Sequence, residues 1–199
     1  FQNWEALAWS YPSFLESMLA RFVGASSADG FNPYRITRDG LDWEVPEHDN
    51  PWAHIGYWGD HQGPYLCRLV EMYRQVWPAR LAAMALKPRY GYVDIPYRLT
   101  THEHMVARPK QTVRFDHERH DAIMRAVEQD GEDRRLLHDV SGQVWQVNLI
   151  EKLLVAALGR MGQLVVGGGI WMSTQRPEWN DANTALAGDG LSVVSTAYL

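Results

Sequence analysis

Apolar residues recur at helical spacing in several stretches of the chain. Between Pro12 and Val23 they fall at Phe14, Leu15, Met18, Leu19 and Phe22, with Pro12 suited to a first helical turn. That predicts a helix ending near Gly24. A second begins near Gln62 or Pro64 and runs through Leu66, Leu69, Val70, Tyr73 and Val76, and an Ala-rich helix follows from Pro78 to about Leu86. Asp116 to Gln129 reads as a polar helix with Ile123 and Val127 four apart and a solvated charged face. The clearest pattern spans Val144 to Val166, where Val147, Ile150, Leu154, Ala157, Leu158, Met161 and Leu164 form a stripe broad enough for a buried contact. A last helix is expected from Asp181–Thr184 onward, still apolar at Val193, Val194, Ala197, Tyr198 and Leu199.

Between these helices lie two long punctuated segments. Ser26 to Gly59 is broken by Pro33, Gly40, Pro46 and Pro51, and Lys87 to Gln111 by Pro88, Pro96 and Pro109. Segments of that length in a folded domain are functional more often than they are bare connectors. Strand-like alternation is confined to Tyr90–Ile95 and Val165–Met172, and no internal repeat is visible. Helices joined by long aromatic loops imply an all-α scaffold with its chemistry on the loops.

Composition narrows the function. The chain has 199 residues, 46% of them hydrophobic and 22% charged, as expected of a folded protein with one core. Its net charge of −5 offers no basic field for a polyanion, so nucleic acid is not an expected partner. The Val144–Val166 run is interrupted by Gln146, Asn148, Glu151, Lys152 and Arg160, and the first residues show no basic patch before an apolar run. Neither a membrane span nor a signal peptide is expected. One cysteine, Cys67, fits a reducing compartment, and the expected location is cytoplasmic. Cys67 sits among Leu66, Leu69 and Val70 without an activating histidine, so it reads as a small hydrophobe.

Nine Trp and nine Tyr are the unusual feature. Trp43, Trp52, Tyr57, Trp58, Tyr90, Tyr92, Tyr97, Trp171 and Trp179 sit in punctuated segments, where they serve either as core or as flat walls for sugar rings. After Gly167-Gly168-Gly169, whose use is backbone freedom, comes Gln175-Arg176-Pro177-Glu178-Trp179-Asn180-Asp181-Ala182-Asn183. If Glu178 and Asp181 share the first turn of a helix, their repulsion raises one pKa and keeps a proton for a leaving oxygen. The plainer alternative is that Asp181 or Asn180 caps the helix while Glu178 favours its positive end. A second cluster runs from Asp49 to Gln62. In it Asp60, His61 and Gln62 are suited to gripping vicinal hydroxyls, and Tyr57 or Trp58 to stacking on a sugar face, with a cap at Asp60 and buried aromatics as the alternative. His102, Glu103 and His104 read as solvated residues, since no third ligand is identifiable, and no metal site is expected.

The two clusters together resemble motifs of carbohydrate-active enzymes with an (α/α)6 toroid. The resemblance is to inverting glycoside phosphorylases of the cellobiose phosphorylase type, and more distantly to glucoamylase-like and amylo-α-1,6-glucosidase-like proteins. Pro177-Glu178-Trp179-Asn180-Asp181 stands where that group has Gly-Asp-Trp-Asn-Asp, which implies Glu178 as general acid. Gly56-Tyr57-Trp58-Gly59-Asp60-His61-Gln62 stands where it has a Gly-aromatic-Arg-Asp-Gln type segment, which implies Asp60 as a sugar ligand. Glu at 178 reaches one methylene further than Asp, and Gly59 replaces the arginine, which leaves sugar identity and phosphate use open. The whole sequence also resembles the central part of large bacterial proteins with such a domain.

The resemblance implies catalytic roles for Glu178 and Asp181, and substrate contacts from Tyr57, Trp58, Asp60, His61, Gln62, Arg176, Trp179 and Asn180. Inversion at an anomeric carbon, by hydrolysis or phosphorolysis of an oligosaccharide or glycoside, is the expected reaction, with inorganic phosphate as the one co-substrate and no organic cofactor. An inverting hydrolase holds its two carboxyls about 6.5–9.5 Å apart, so the base is expected at Asp60, at Glu44 or beyond this chain. A complete toroid takes about twelve helices, for which 199 residues give half the room. Residues 1–199 are therefore expected to form a single-domain fragment, about half of an (α/α)6 catalytic domain. Its expected partners are the rest of that domain or a second copy on the open flank. A non-catalytic carbohydrate-binding or structural helical module is the alternative.

Overall fold

The computed structural model describes residues 2–31, 35–36, 40–43, 45–49, 62–109, 111, 113–171 and 190–199. Helix α1 (Gln2–Ser10) leads through a 3-10 turn, Pro12–Phe14, into α2 (Leu15–Gly24). Pro12 opens that turn because the missing proline N–H costs nothing where no helical acceptor exists. Strands β1 (Arg35–Ile36) and β2 (Leu41–Asp42) pair antiparallel, followed by α3 (Gln62–Val76) and α4 (Pro78–Ala85), the latter again opened by proline. Then come β3 (Tyr97–Leu99), α5 (His102–Ala107), β4 (Val113–Phe115) and α6 (His117–Asp130). The chain continues through α7 (Leu149–Met161), β5 (Leu164–Val165), β6 (Gly169–Trp171), β7 (Leu191–Ser192) and α8 (Val193–Tyr198).

Local capping chemistry sets several of these starts. Asp116 accepts from the Arg119 amide at 3.0 Å, Asn148 from Glu151 at 2.8 Å, and Ser192 from Ser195 at 3.1 Å. Each satisfies an amide that the first turn leaves without a partner.

The architecture is mixed α/β, not the all-α partial toroid expected from the sequence. β3 pairs with β4, and β5, β6 and β7 form a three-stranded antiparallel sheet. Residues 90–95 add isolated bridges: Tyr90 to Val147, and Val93 to both Ser27 and Leu136. Helical periodicity concealed these pairings, because a short apolar run looks alike in a helix and in a strand until its partner is known.

Two apolar clusters organise the described residues. In one, α2 (Leu15, Leu19, Phe22, Val23) packs on α3 (Leu66, Leu69, Met72, Tyr73), with Met84 and Leu149 closing it. In the other, Trp43, Val93, Ile95, Tyr97 and Val113 pack on Ile123 of α6. Trp43, Tyr90, Tyr92 and Tyr97 are buried, so these four loop aromatics are core.

Helix α7 departs most from expectation. It is shorter than Val144–Val166: Val144 and Val147 lie in bridges, and Leu164 and Val165 form a strand. Its orientation is also inverted. Lys152 and Arg160 are buried, whereas Ile150, Leu154, Leu158 and Met161 of the supposed buried stripe are exposed. The face that enters the protein is the one with small residues at Ala156 and Gly159, which lets α7 approach the 29–31 backbone closely: a Cβ on Gly159 would lie 2.6 Å from the Asp29 carbonyl oxygen. Among the described residues, no helix is long and apolar enough to cross a membrane.

Candidate functional site

Most of the sequence-derived candidates, namely Tyr57, Trp58, Asp60, His61, Arg176, Glu178, Trp179, Asn180 and Asp181, lie outside the described residues, as do Glu44, Trp52 and His54. So does the expected helix start at Asp181–Thr184. Gln62 is the first residue of α3, so the backbone leaves the first motif directly into that helix. The second motif lies between β6 and β7, which are hydrogen-bonded to each other, with Trp171 opposite Leu191.

Helices α3, α7 and α8 line one cavity of about 370 Å³. Helix α3 contributes Gly63, Pro64, Cys67 and Glu71; α7 contributes Leu153, Ala156 and Arg160; and α8 contributes Ser195 and Tyr198. Helix α8 packs on both α3 and β6, so the strand leading into the second motif is tied to the helix that follows the first. The tie is specific: the Thr196 hydroxyl accepts from the Ile170 amide at 2.9 Å and donates to the Ser192 carbonyl at 2.6 Å.

The cavity walls are chiefly apolar, with polar groups at a few points. Arg160 is buried, and its Nε stands 3.8 Å from where a Gly63 Cβ would lie. Burial pushes the Cys67 thiol up, and the Glu71 carboxylate adds to the effect. A thiol held protonated is a poor nucleophile, so the cavity contains Cys67 as wall rather than as reagent.

His102 and Glu103 are exposed and His104 half-buried, but they open a short helix rather than lying in a loop, with Thr101 as its cap. Among the described residues, no group of three or more His, Cys, Asp or Glu is placed to hold a metal ion. In the triple glycine, Gly167 and Gly169 have φ of +76° and +152°, the backbone freedom that turns β5 into β6 and sets Trp171 in its strand.

Reading by periodicity missed the residues that α7 contributes. Arg160 and Lys152 look like a solvated face by type, and only the small residues between them signal a close backbone approach. Ser195 and Tyr198 carried no signal beyond amphipathic spacing. No protein-family model matches the chain, and no curated protein matches it in sequence.

Proposed function

We propose that the protein is a carbohydrate-active enzyme that cleaves glycosidic bonds with inversion, by hydrolysis or phosphorolysis, with Glu178 as general acid. The observation supporting it most directly is that α3, which begins at the end of the first motif, and α8, which follows the second motif after β7, border the same cavity. In this reading Glu178 protonates the glycosidic oxygen while phosphate, or a water activated by a second carboxylate, attacks the anomeric carbon from the opposite face. Asp60, His61 and Gln62 hold sugar hydroxyls, Tyr57, Trp58 and Trp179 provide apolar walls, and Arg176, Asn180 and Asp181 complete the polar contacts. Inorganic phosphate is the co-substrate of the phosphorolytic branch.

The chiefly apolar walls of the described cavity favour a second reading, a non-catalytic carbohydrate-binding or structural module. The discriminating experiment is release of reducing sugar or sugar 1-phosphate from a panel of α- and β-linked glucosides and oligosaccharides, with and without phosphate. It compares the intact protein with its Glu178→Gln variant. Phosphate-dependent activity lost in the variant marks a phosphorylase, and phosphate-independent activity lost in the same way marks a hydrolase. Activity unchanged by the variant removes Glu178 as the acid, and a folded protein silent across the panel moves the reading to binding.

A further inference from the structure

Every exposed residue of α7 is apolar. Ile150, Leu154, Leu158 and Met161 are 41, 55, 60 and 53% exposed and recur at three- and four-residue spacing along one side of the helix. The helix keeps both of its cations inside and its one acidic residue, Glu151, half-buried. The stripe continues beyond the helix into β5 and its turn, where Leu164 is 53% and Val166 93% exposed. An uncharged face of this extent is not what a helix bathed in water carries.

We propose that this face is a two-fold interface between two copies of the chain, with their α7 helices antiparallel. A two-fold axis passing between Leu154 and Leu158 on the exposed face brings Leu154 of one copy against Leu158 of the other, and Ile150 against Met161. All four exposed positions are then matched apolar to apolar, and no charge faces a like charge, which is the self-complementarity an isologous contact requires. The antiparallel arrangement also exchanges the ends of the helix. Trp145, 46% exposed and four residues before α7, is carried toward the other copy's β5 turn. Beside that turn lies a groove of about 280 Å³ between α5 and β5, lined in part by Met105, Val106, Leu164 and Trp171. An isolated partner helix would cover the stripe and leave the turn and groove open, whereas a second copy covers all three. The exposed area of the stripe, turn and indole is on the order of 800 Å² per copy, the share each partner contributes to a stable interface of standard size. The inference does not rest on the glycosidic reading.

Sedimentation velocity of the full chain at micromolar concentration, beside Leu158→Glu and Leu154→Gln, tests it, with far-UV circular dichroism as the check on folding. The expected result is a wild-type dimer, weakened by about a hundredfold or more in Leu158→Glu, which sets two carboxylates in the apolar seam. The milder Leu154→Gln should weaken it less, and both spectra should match wild type because the side chains are more than half exposed. In a Cys67→Ser background, Leu154→Cys with Leu158→Cys should cross-link between copies on oxidation, while Leu154→Cys alone should not. A monomeric wild-type chain would overturn the proposal and give the face to another segment or partner, and a dimer undisturbed by Leu158→Glu would overturn it equally.

Discussion

The Lys152 ammonium lies 3.8 Å from the centre of the Tyr92 ring and donates to the Ser26 and Gly91 carbonyls at 3.1 and 2.7 Å. One side chain of α7 thereby joins the turn after α2 to the extended 90–95 segment. The Tyr92 hydroxyl donates in turn to Glu151 at 3.0 Å, so two consecutive residues of α7 hold the same tyrosine from both ends.

This staple gives stability a pH dependence of known sign. Burial pushes the Lys152 pKa down from 10.5 to about 7, with the Glu151 carboxylate working against it. Between those values the unfolded chain binds the proton that the folded chain has released. Stability should therefore rise with pH above about 7, by at most ~1.4 kcal/mol per pH unit. Above about 10.5 the rise should end, because the unfolded lysine has then lost its proton as well, and Tyr73, pushed up to about 12 by burial and then by its bond to Glu16, keeps its proton in the folded chain and turns the slope downward. Urea denaturation across this range should show the rise in wild type and not in Lys152→Met, and parallel curves would refute it. At the alkaline end Lys152→Met should also be less stable by about 1–3 kcal/mol, since the Gly91 carbonyl loses its donor.

Glycine substitutions should separate close approach from mere flexibility. Gly30 has φ of +86°, and a Cβ there would lie 2.5 Å from the Val155 carbonyl oxygen, so Gly30→Ala should cost about 2 kcal/mol or more. Gly24 closes α2 with nothing within 4 Å of the same position. Gly24→Ala should be neutral or stabilising by about 0.5–1 kcal/mol. Thermal melts of both variants decide the matter, and equal effects would contradict the geometry.

Asp94 is buried and receives Arg119 through two hydrogen bonds, from Nε at 3.1 Å and from Nη2. The arginine is 42% exposed, so solvent screens part of the pair. Arg119→Met should still cost about 2 kcal/mol, because a buried carboxylate is left without its partner. Asp94→Asn with Arg119→Met should cost less than the two single changes added together. A double-mutant cycle showing simple additivity would remove the coupling.

His120 accepts a hydrogen bond at Nδ1 from the Trp43 indole at 3.1 Å. Burial holds its pKa below the usual 6.5, although the Asp121 carboxylate pulls the other way. As pH falls below 6.5 the unfolded chain takes the proton first, so stability should decline, and protonation at Nδ1 should displace the indole donor. The Trp43 indole resonance, followed by NMR through an acid titration, should shift with a midpoint below 6.5. A midpoint above that value would contradict the burial argument.

What the sequence determined by itself were elements whose signals are local. Pro12 and Pro78 start their helices, Asp116 marks where α6 begins, and the spacing of Leu66, Leu69 and Tyr73 places α3 and its buried face, because each signal acts within a turn or two of the backbone. The chemistry proposed for the two motifs was read in the same way, from residue types at close spacing, and all of those residues but Gln62 lie outside the described ones. Helices α1 and α5 were not legible, being short and weakly periodic. Only tertiary structure decided that Val147 bridges Tyr90 and that Leu164 pairs with Ile170, since pairing energy depends on a partner distant in sequence. It also decided the orientation of α7: the carbonyls of Ser26 and Gly91 and the face of Tyr92 satisfy a lysine that composition would send to solvent, and small residues on that side allow the approach. Arg160 enters the cavity for the same reason, carried in on the face that Ala156 and Gly159 make narrow enough to bury.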